Sequence, residues 1–437
     1  FEQPILRARD KRLSPLPKVE IIDERAGSSQ SRRNRHAEGS SGARSGNQHR
    51  GNGFISGLAL LEGRAEAQDA AAFTDWFGEP LTEQVPVTPE SLAALPYSSG
   101  TTGINKGVML THRNLIANVA QTSAGAGMRG DEVFIAVLPF FHIYGMQVLM
   151  NCGLRLGATI VTMPRFDLEE FLQLHQQYGV TRSFVAPPIV VALAKHPLVD
   201  QYDMSAVEQV FSGAAPLSAE LALEAGARLG CEVVQGYGMT EMSPVSHLTT
   251  PGGFKPGSVG VTAPSTATRI VDPESGEDLD VDLDGEIWVR GPQVMPGYMN
   301  NESATRECLD ADGWLHTGDI GHIDSDGHLF VVDRLKELIK VKGFQVAPAE
   351  LEALLLTHPA VADAAVVGRQ DDRAGEVPAA FVVLKPGQEV SEADLKKFVA
   401  DQVAHYKQID SITFTDTIPK SASGKILRRL LRDSLAL

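Results

Sequence analysis

Between residues 92 and 250, short β-rich runs alternate with helical stretches, and this alternation constrains the fold more than any other feature. Val133–Leu138, Thr159–Met163, Ser183–Ala186 and Gln209–Phe211 read as strands, and Leu168–Tyr178 and Ala219–Leu229 as helices. Strands separated by helix-length connections are predicted to form a largely parallel sheet covered on both faces. Residues 257–332 follow a different pattern. Thr268–Val271, Glu286–Arg290 and Leu329–Val332 are short strands set among Gly, Pro and Asp turns, which predicts a small barrel-like subdomain. After Asp333, Ala349–Leu356 and Glu392–Ala404 read as helices, and Val361–Gly368 and Pro378–Leu384 as strands. The expected fold class is therefore α/β: a large N-terminal domain of covered mixed sheets plus a small β-barrel subdomain, and a small mobile α+β C-terminal domain.

Chemistry is concentrated first in Tyr97-Ser98-Ser99-Gly100-Thr101-Thr102-Gly103-Ile104-Asn105-Lys106-Gly107. Glycines let the backbone approach an anion, and consecutive N–H groups form a nest for phosphate oxygens. The Ser and Thr hydroxyls add donors and Lys106 adds charge. The spacing is not that of a Walker A loop. A plain polar turn is the competing reading, weakened by the helical pattern of Thr111–Val119 directly after it.

This loop resembles the phosphate-loop signature of the adenylate-forming superfamily, which groups acyl-CoA synthetases, adenylation domains and beetle luciferases. Four further segments match that family in order. They are Gln235-Gly236-Tyr237-Gly238-Met239-Thr240-Glu241, Gly313-Trp314-Leu315-His316-Thr317-Gly318-Asp319, Asp333-Arg334-Leu335-Lys336-Glu337-Leu338-Ile339-Lys340 and Pro419-Lys420-Ser421-Ala422-Ser423-Gly424-Lys425. Within the superfamily, Leu138–Gly145, Ser212–Leu217 and Val341–Glu350 resemble plant-type 4-coumarate–CoA ligases.

The resemblance implies an ATP-dependent acyl-CoA synthetase that makes an acyl-adenylate and passes the acyl group to coenzyme A, with Mg²⁺ carrying the ATP phosphates. It implies that Lys425, His142, Thr240 and Glu241 act in catalysis. ATP or AMP would be held by Ser98, Ser99, Gly100, Thr101, Thr102, Gly103, Lys106, Ala214, Gln235, Gly236, Tyr237, Thr240, Asp319, Arg334, Lys336, Lys340 and Gln345. The acyl pocket would be lined by His142, Tyr144, Ala214 and Gly238, coenzyme A would be held by Arg165, Lys342 and Gly343, and Glu241 would take the metal.

These residue types suit those tasks. Glu241 is a hard oxygen ligand of the kind Mg²⁺ prefers. Asp319, after a glycine, could accept both ribose hydroxyls, or simply stabilise a turn. Lys425 precedes a basic helical run, Ile426–Arg432, and could offset the charge that builds up as a carboxylate attacks the α-phosphate. Asp280-x-Asp282-x-Asp284-Gly285 opens like a calcium loop, but its twelfth position is Gly291, so it reads as a solvated acidic turn.

The resemblance covers residues 92–433 and fails before about residue 80. The domains are expected as an atypical N-terminal segment over residues 1–80, an AMP-binding domain truncated at its N-terminus over 81–333, and a C-terminal domain over 334–437, hinged near Lys336. Gly27–Gly53 is rich in Ser, Gly, Arg and Asn and reads as disordered or degenerate sequence in place of a folded subdomain. A chain lacking that subdomain is expected to be poorly soluble or weakly active.

The net charge of −16 argues against a general nucleic-acid binder. Cys152, Cys231 and Cys308 show no metal-ligand spacing and no disulfide framework, which favours a reducing cytoplasm. The apolar run Val133–Cys152 is interrupted by Pro139, His142, Gly145 and Gln147, so it reads as strand, loop and helix rather than a membrane span. No feature specifies an oligomeric state. Two rivals remain: an adenylation enzyme loading a carrier protein in trans, and a non-catalytic nucleotide-binding remnant.

Overall fold

The computed structural model describes residues 85–98, 106–163, 165–371, 373–420 and 425–435, with the backbone of short strands at Ile21–Ile22, Ala59–Leu60 and Ala71–Ala72. The chain divides into two units, one made of Phe1–Asp23 with Pro89–Leu437, the other of Glu24–Thr88. In the second unit, Ala59–Leu60 and Ala71–Ala72 form a parallel pair. The expectation of disorder over Gly27–Gly53 lies outside the described residues.

The main sheet of the first unit has eight strands. In spatial order they are Ile21–Ile22, Thr159–Thr162, Val133–Ala136, Arg182–Val185, Gln209–Ser212, Glu232–Gly238, Val245–Leu248 and Val261–Thr262. Pairing is parallel as far as Glu232–Gly238 and antiparallel for the last two strands. Helices Leu168–Tyr178, Pro187–Lys195 and Ala219–Leu229 contribute Phe171, Leu193 and Ala225 to the apolar cluster on one face. A second cluster, around Phe134, Leu149, Phe184 and Phe211, fills the other. Burial on both faces explains why these strands read as continuous apolar runs.

Local signals set the helix ends. Thr111 closes the strand Lys106–Thr111 and caps helix His112–Gly125, accepting the Asn114 N–H at 3.2 Å while the Asn114 carbonyl accepts the Thr111 N–H at 2.9 Å. The Asp167 and Ser218 side chains cap Leu168–Tyr178 and Ala219–Leu229 by accepting the Glu170 and Leu221 N–H, and Gly179 and Gly230 end these helices in the left-handed conformation. Val133–Cys152 is a strand, a loop and then a π-helical turn, Gly145–Asn151, leading into Cys152–Leu156. Among the described residues no helix is long and apolar enough to cross a membrane.

The small β-subdomain uses two antiparallel sheets. One orders Ala267–Val271, Gly285–Arg290, Leu315–Ile323 and Leu329–Arg334. The other pairs Lys106–Thr111 with Leu92–Ala94, Tyr97–Ser98 and Gly297–Tyr298. Both feed one core containing Val108, Leu110, Ile287, Val289, Met295 and Leu329. Beyond Arg334 a five-stranded sheet has its own core of Val346, Leu351, Val366, Val382 and Leu395. The helix expected over Glu392–Ala404 ends at Ala400, and the basic helix expected from Ile426 begins at Arg428, because Ile426 bridges back to Lys420.

Candidate active site

Ligands in open α/β sheets sit beyond the carboxyl ends of the parallel strands, and two strand ends supply this site. Gln209–Ser212 runs into Gly213 and Ala214, and Glu232–Gly238 runs into Met239, Thr240 and Glu241. Ala214 adopts a φ of 74°, an unfavourable region for a residue with a Cβ. Gly213 is required by packing, since a Cβ there would lie 2.9 Å from Cε1 of Tyr144. The strand ends open onto a cleft of about 910 Å³, counted to its solvent-open mouth.

The cleft brings together Ser98, His142, Tyr144, Ala214, Gly236, Tyr237, Gly238, Thr240, Glu241, Arg334 and Lys425 from the sequence reading. These residues come from six separate stretches of chain, the last being Lys425. Ile143, Phe211, Gly213, Met239, Pro244 and Val245 complete the lining. Their apolar character resembles ordinary core sequence, so spacing alone carried no signal for them.

On the nucleotide side, the Tyr237 hydroxyl donates to Asp319 Oδ2 at 2.7 Å, and Arg334 Nε lies 3.1 Å from Asp319 Oδ1. Antiparallel pairing of Asp319 with Arg334 creates this contact. Burial, then the Asp319 charge, drives the Tyr237 phenol far above its usual range, so it stays a donor. Gln235 does not line the cleft. It is buried, and its side-chain oxygen accepts the Leu217 N–H at 3.1 Å, anchoring the loop that carries Ala214.

Glu241 is only 4% exposed, and its Oε1 accepts a hydrogen bond from the Tyr298 hydroxyl at 2.8 Å. Lys106 Nζ lies 4.8 Å from the centre of the Tyr298 ring. Tyr298 therefore joins the end of the phosphate loop to the acidic residue, a role the sequence reading missed because 192 residues separate Lys106 from Tyr298. Among the described residues no cluster of three or more His, Cys, Asp or Glu side chains could cage a metal. One buried carboxylate at a cleft is the donor set expected for Mg²⁺, which keeps waters and takes substrate phosphate oxygens.

On the acyl side, His142 Nδ1 accepts the Tyr144 N–H at 3.3 Å, so the neutral ring carries its proton on Nε2. Burial lowers the His142 pKa and favours that neutral form. Tyr144 is buried, with its hydroxyl donating to the Phe211 carbonyl at 3.1 Å. Lys425 is half-buried, and burial, then the Arg334 charge, lowers its pKa to about 8.

Ser99, Gly100, Thr101, Thr102 and Gly103 lie outside the described residues. Lys336, Lys340, Lys342, Gly343 and Gln345 are exposed around the hairpin Ile339–Val341/Phe344–Val346, and Arg165 is exposed after the strand Thr159–Thr162. None of these six lines the cleft.

Family models match the chain in two places, the AMP-binding enzyme over residues 21–299 and the AMP-binding enzyme C-terminal domain over 350–425. The chain belongs to the AMP-binding enzyme family. The first match begins at residue 21, so the likeness extends further toward the N-terminus than the motifs indicated, and Ile21–Ile22 pairs with Ile160 and Val161 in the main sheet.

Curated relatives in this family include a 4-coumarate–CoA ligase of Vanilla planifolia, 51% identical over 87% of this chain and 71% of the relative. 4-Coumarate–CoA ligase 2 of Nicotiana tabacum is 51% identical over 81% and 67%, and 4-coumarate–CoA ligase 1 of Arabidopsis thaliana 50% identical over 82% and 65%. The chain thus spans roughly two thirds of their length. Similar solved structures include ATP-bound MatB from Rhodopseudomonas palustris, at TM-score 0.75 and 31% identity over 80% of this chain and 69% of that one. An anthranilate–CoA ligase with anthranoyl-AMP matches at TM-score 0.75 and 28% identity, over 82% and 70%. The chain is an ATP-dependent acid–thiol ligase, of a family whose CoA ligases use ATP, Mg²⁺ and coenzyme A.

Proposed function

We propose that this AMP-binding enzyme activates an aromatic propenoic acid of the 4-coumarate type and transfers it to coenzyme A in a reducing cytoplasm. The observation that carries this reading is the convergence of Lys425, Arg334 and Glu241 with the aromatic and apolar lining of Tyr144, Phe211, Met239 and Val245 in one cleft. The names of the curated relatives given above support the choice of acid. Three free cysteines fit the compartment.

In the first half-reaction a carboxylate oxygen attacks the α-phosphorus of ATP, the new O–P bond forms, and pyrophosphate leaves. Lys425 and Arg334 offset the charge gathering on the α-phosphate. Asp319 and Tyr237 hold the ribose hydroxyls, Gly236 and Ala214 border the base, and Ser98 and Lys106 flank the phosphates. Glu241, beside Thr240, would hold Mg²⁺, which when bound neutralises phosphate charge. The His142 Nε2–H donates to an oxygen of the acyl group.

In the second half-reaction the thiol sulfur attacks the acyl carbonyl carbon and AMP departs with the C–O bond electrons. Arg165, Lys342 and Gly343 are proposed to hold coenzyme A. Lys425 lies at the cleft while the hairpin bearing Lys340, Lys342 and Gln345 does not, which suits the first step. Rotation about Lys336 would bring that hairpin round for the second.

The experiment is an assay of the 437-residue chain with ATP, Mg²⁺ and coenzyme A against a panel of aromatic and aliphatic acids. Acid-dependent AMP release, with formation of the CoA thioester highest for 4-coumarate, is expected. Equal or greater turnover of aliphatic acids would overturn the aromatic assignment.

A further inference from the structure

Behind Lys425, three buried carboxylates gather around one guanidinium. Arg428 opens the helix Arg428–Leu435, three residues past Lys425. Its Nη2 donates to both oxygens of Glu352 at 2.7 Å, and its Nε donates to the Val366 carbonyl at 3.2 Å. The same Nε lies 3.7 Å from Glu337 Oε2, which Arg432 Nη1 also approaches to 3.7 Å. The third carboxylate, Asp333, precedes the cleft residue Arg334. It accepts the N–H of Arg334 at 2.7 Å and that of Ala349 at 2.8 Å. Ala349 sits in the first turn of helix Pro348–Thr357, whose own cap residue, Ala347, supplies no side-chain bond. On the other side of the lysine, Lys420 Nζ pairs with Asp363 Oδ2 at 2.6 Å.

Such a cluster is a poor way to gain stability. Charges taken out of water lose hydration that a buried pair only partly returns. Burial pushes the Glu352 carboxyl up to about 7 even with Arg428 against it, and raises Asp333 despite the same neighbour. Its value lies in geometry. A planar guanidinium held through Nη2 by Glu352 and through Nε by the Val366 carbonyl is fixed in direction as well as distance, and here it ties the residues after Lys425 to helix Pro348–Thr357 and to the turn that follows Arg334.

We propose that Arg428, anchored by Glu352 and Glu337, is a positioning residue that sets where Lys425 enters the cleft for adenylate formation. It touches no substrate and acts only through the lysine. This inference rests on the assignment of Lys425 to the first half-reaction. The variants to compare are Arg428→Met, Arg428→Lys and Lys425→Ala, in the full chain. Two rates are read for each: 4-coumarate-dependent ATP–pyrophosphate exchange, and transfer from pre-made 4-coumaroyl-AMP to coenzyme A.

R428M should lower exchange roughly 10- to 100-fold, as small misplacements of a catalytic group do, while transfer stays at the parent rate. R428K keeps the charge without the planar group held at two nitrogens and should fall between R428M and the parent in exchange alone. If R428M does not fold, R428K decides. Exchange at the parent rate in the folded arginine variants, or equal loss of both rates, would overturn the inference. Parent-rate exchange in K425A would instead overturn the reading of Lys425 itself, so the two failures are separable.

Discussion

The Tyr237 hydroxyl donates to Asp319 Oδ2 at 2.7 Å although 82 residues separate the two in the chain. One comes from the end of a main-sheet strand and the other from the small β-subdomain, so the bond ties two layers together at the cleft. Arg334 occupies the second oxygen at 3.1 Å. The carboxylate is held rigid before any nucleotide arrives, the condition for a precise ribose acceptor.

Asp319→Ala is therefore expected to weaken ATP binding by about 1.5–3 kcal/mol, the range for hydrogen bonds to a charged group. Calorimetric titration with ATP checks it. An affinity equal to the parent's would reduce Asp319 to a partner of Tyr237 and Arg334.

Lys425 predicts a pH dependence. Burial lowers its pKa from 10.5 to about 8, so the charged form predominates below pH 8 and is lost above it. Charge stabilisation needs the protonated amine, so kcat/KM for ATP in pyrophosphate exchange should fall as pH rises through about 8. Transfer from pre-made acyl-AMP should lack this limb. Lys425→Ala should abolish the limb and lower exchange by ~10²–10³. A pH profile identical in parent and variant would refute the assignment.

Tyr298→Phe removes the donor to Glu241 without changing the ring beside Lys106. Losing a partner that orients a metal-bearing carboxylate commonly costs about 10-fold or more in metal affinity. The Mg²⁺ concentration that half-saturates ATP binding should rise accordingly, while ATP affinity without Mg²⁺ stays constant. Matching Mg²⁺ titrations for parent and variant would show that Tyr298 serves only the core.

Gly213→Ala places a Cβ 2.9 Å from Cε1 and 3.2 Å from Cζ of Tyr144. The ring has little room to retreat, because it is buried and its hydroxyl is tied to the Phe211 carbonyl. Overpacking of this kind costs about 1–3 kcal/mol. KM for 4-coumarate should rise with KM for ATP unchanged, and parallel steady-state measurements would reveal it. An unaltered KM for the acid would place Tyr144 outside the acyl site.

Much of the architecture was legible because local chemistry agreed with the final state. Leu168–Tyr178 and Ala219–Leu229 begin after a capping Asp or Ser and stop at a glycine, so their bounds could be read directly. Boundaries failed where a distant contact took over. Ile426, read as helical, is held by its bridge to Lys420, and the helix starts two residues later. The motifs placed Glu241, Asp319, Arg334 and Lys425 on a short roll of polar residues, since a charged residue in a Gly-rich turn stands out from its surroundings.

Partnerships were decided by tertiary structure alone. The sequence determined a largely parallel covered sheet, a small C-terminal α+β domain and the residue types for nucleotide chemistry, all of which depend on periodicity, turns and side-chain identity over short spans. It could not determine that Gln235 turns inward to Leu217, that Tyr298 supports Glu241, or that Arg428 bridges Glu352 and Glu337 behind Lys425. Those pairings join residues 18 to 91 positions apart. A buried polar atom takes whichever partner folding delivers within about 3 Å. Depressing an amine to about pH 8 likewise requires the finished cleft, because burial and a neighbouring guanidinium exist only once the chain has closed around it.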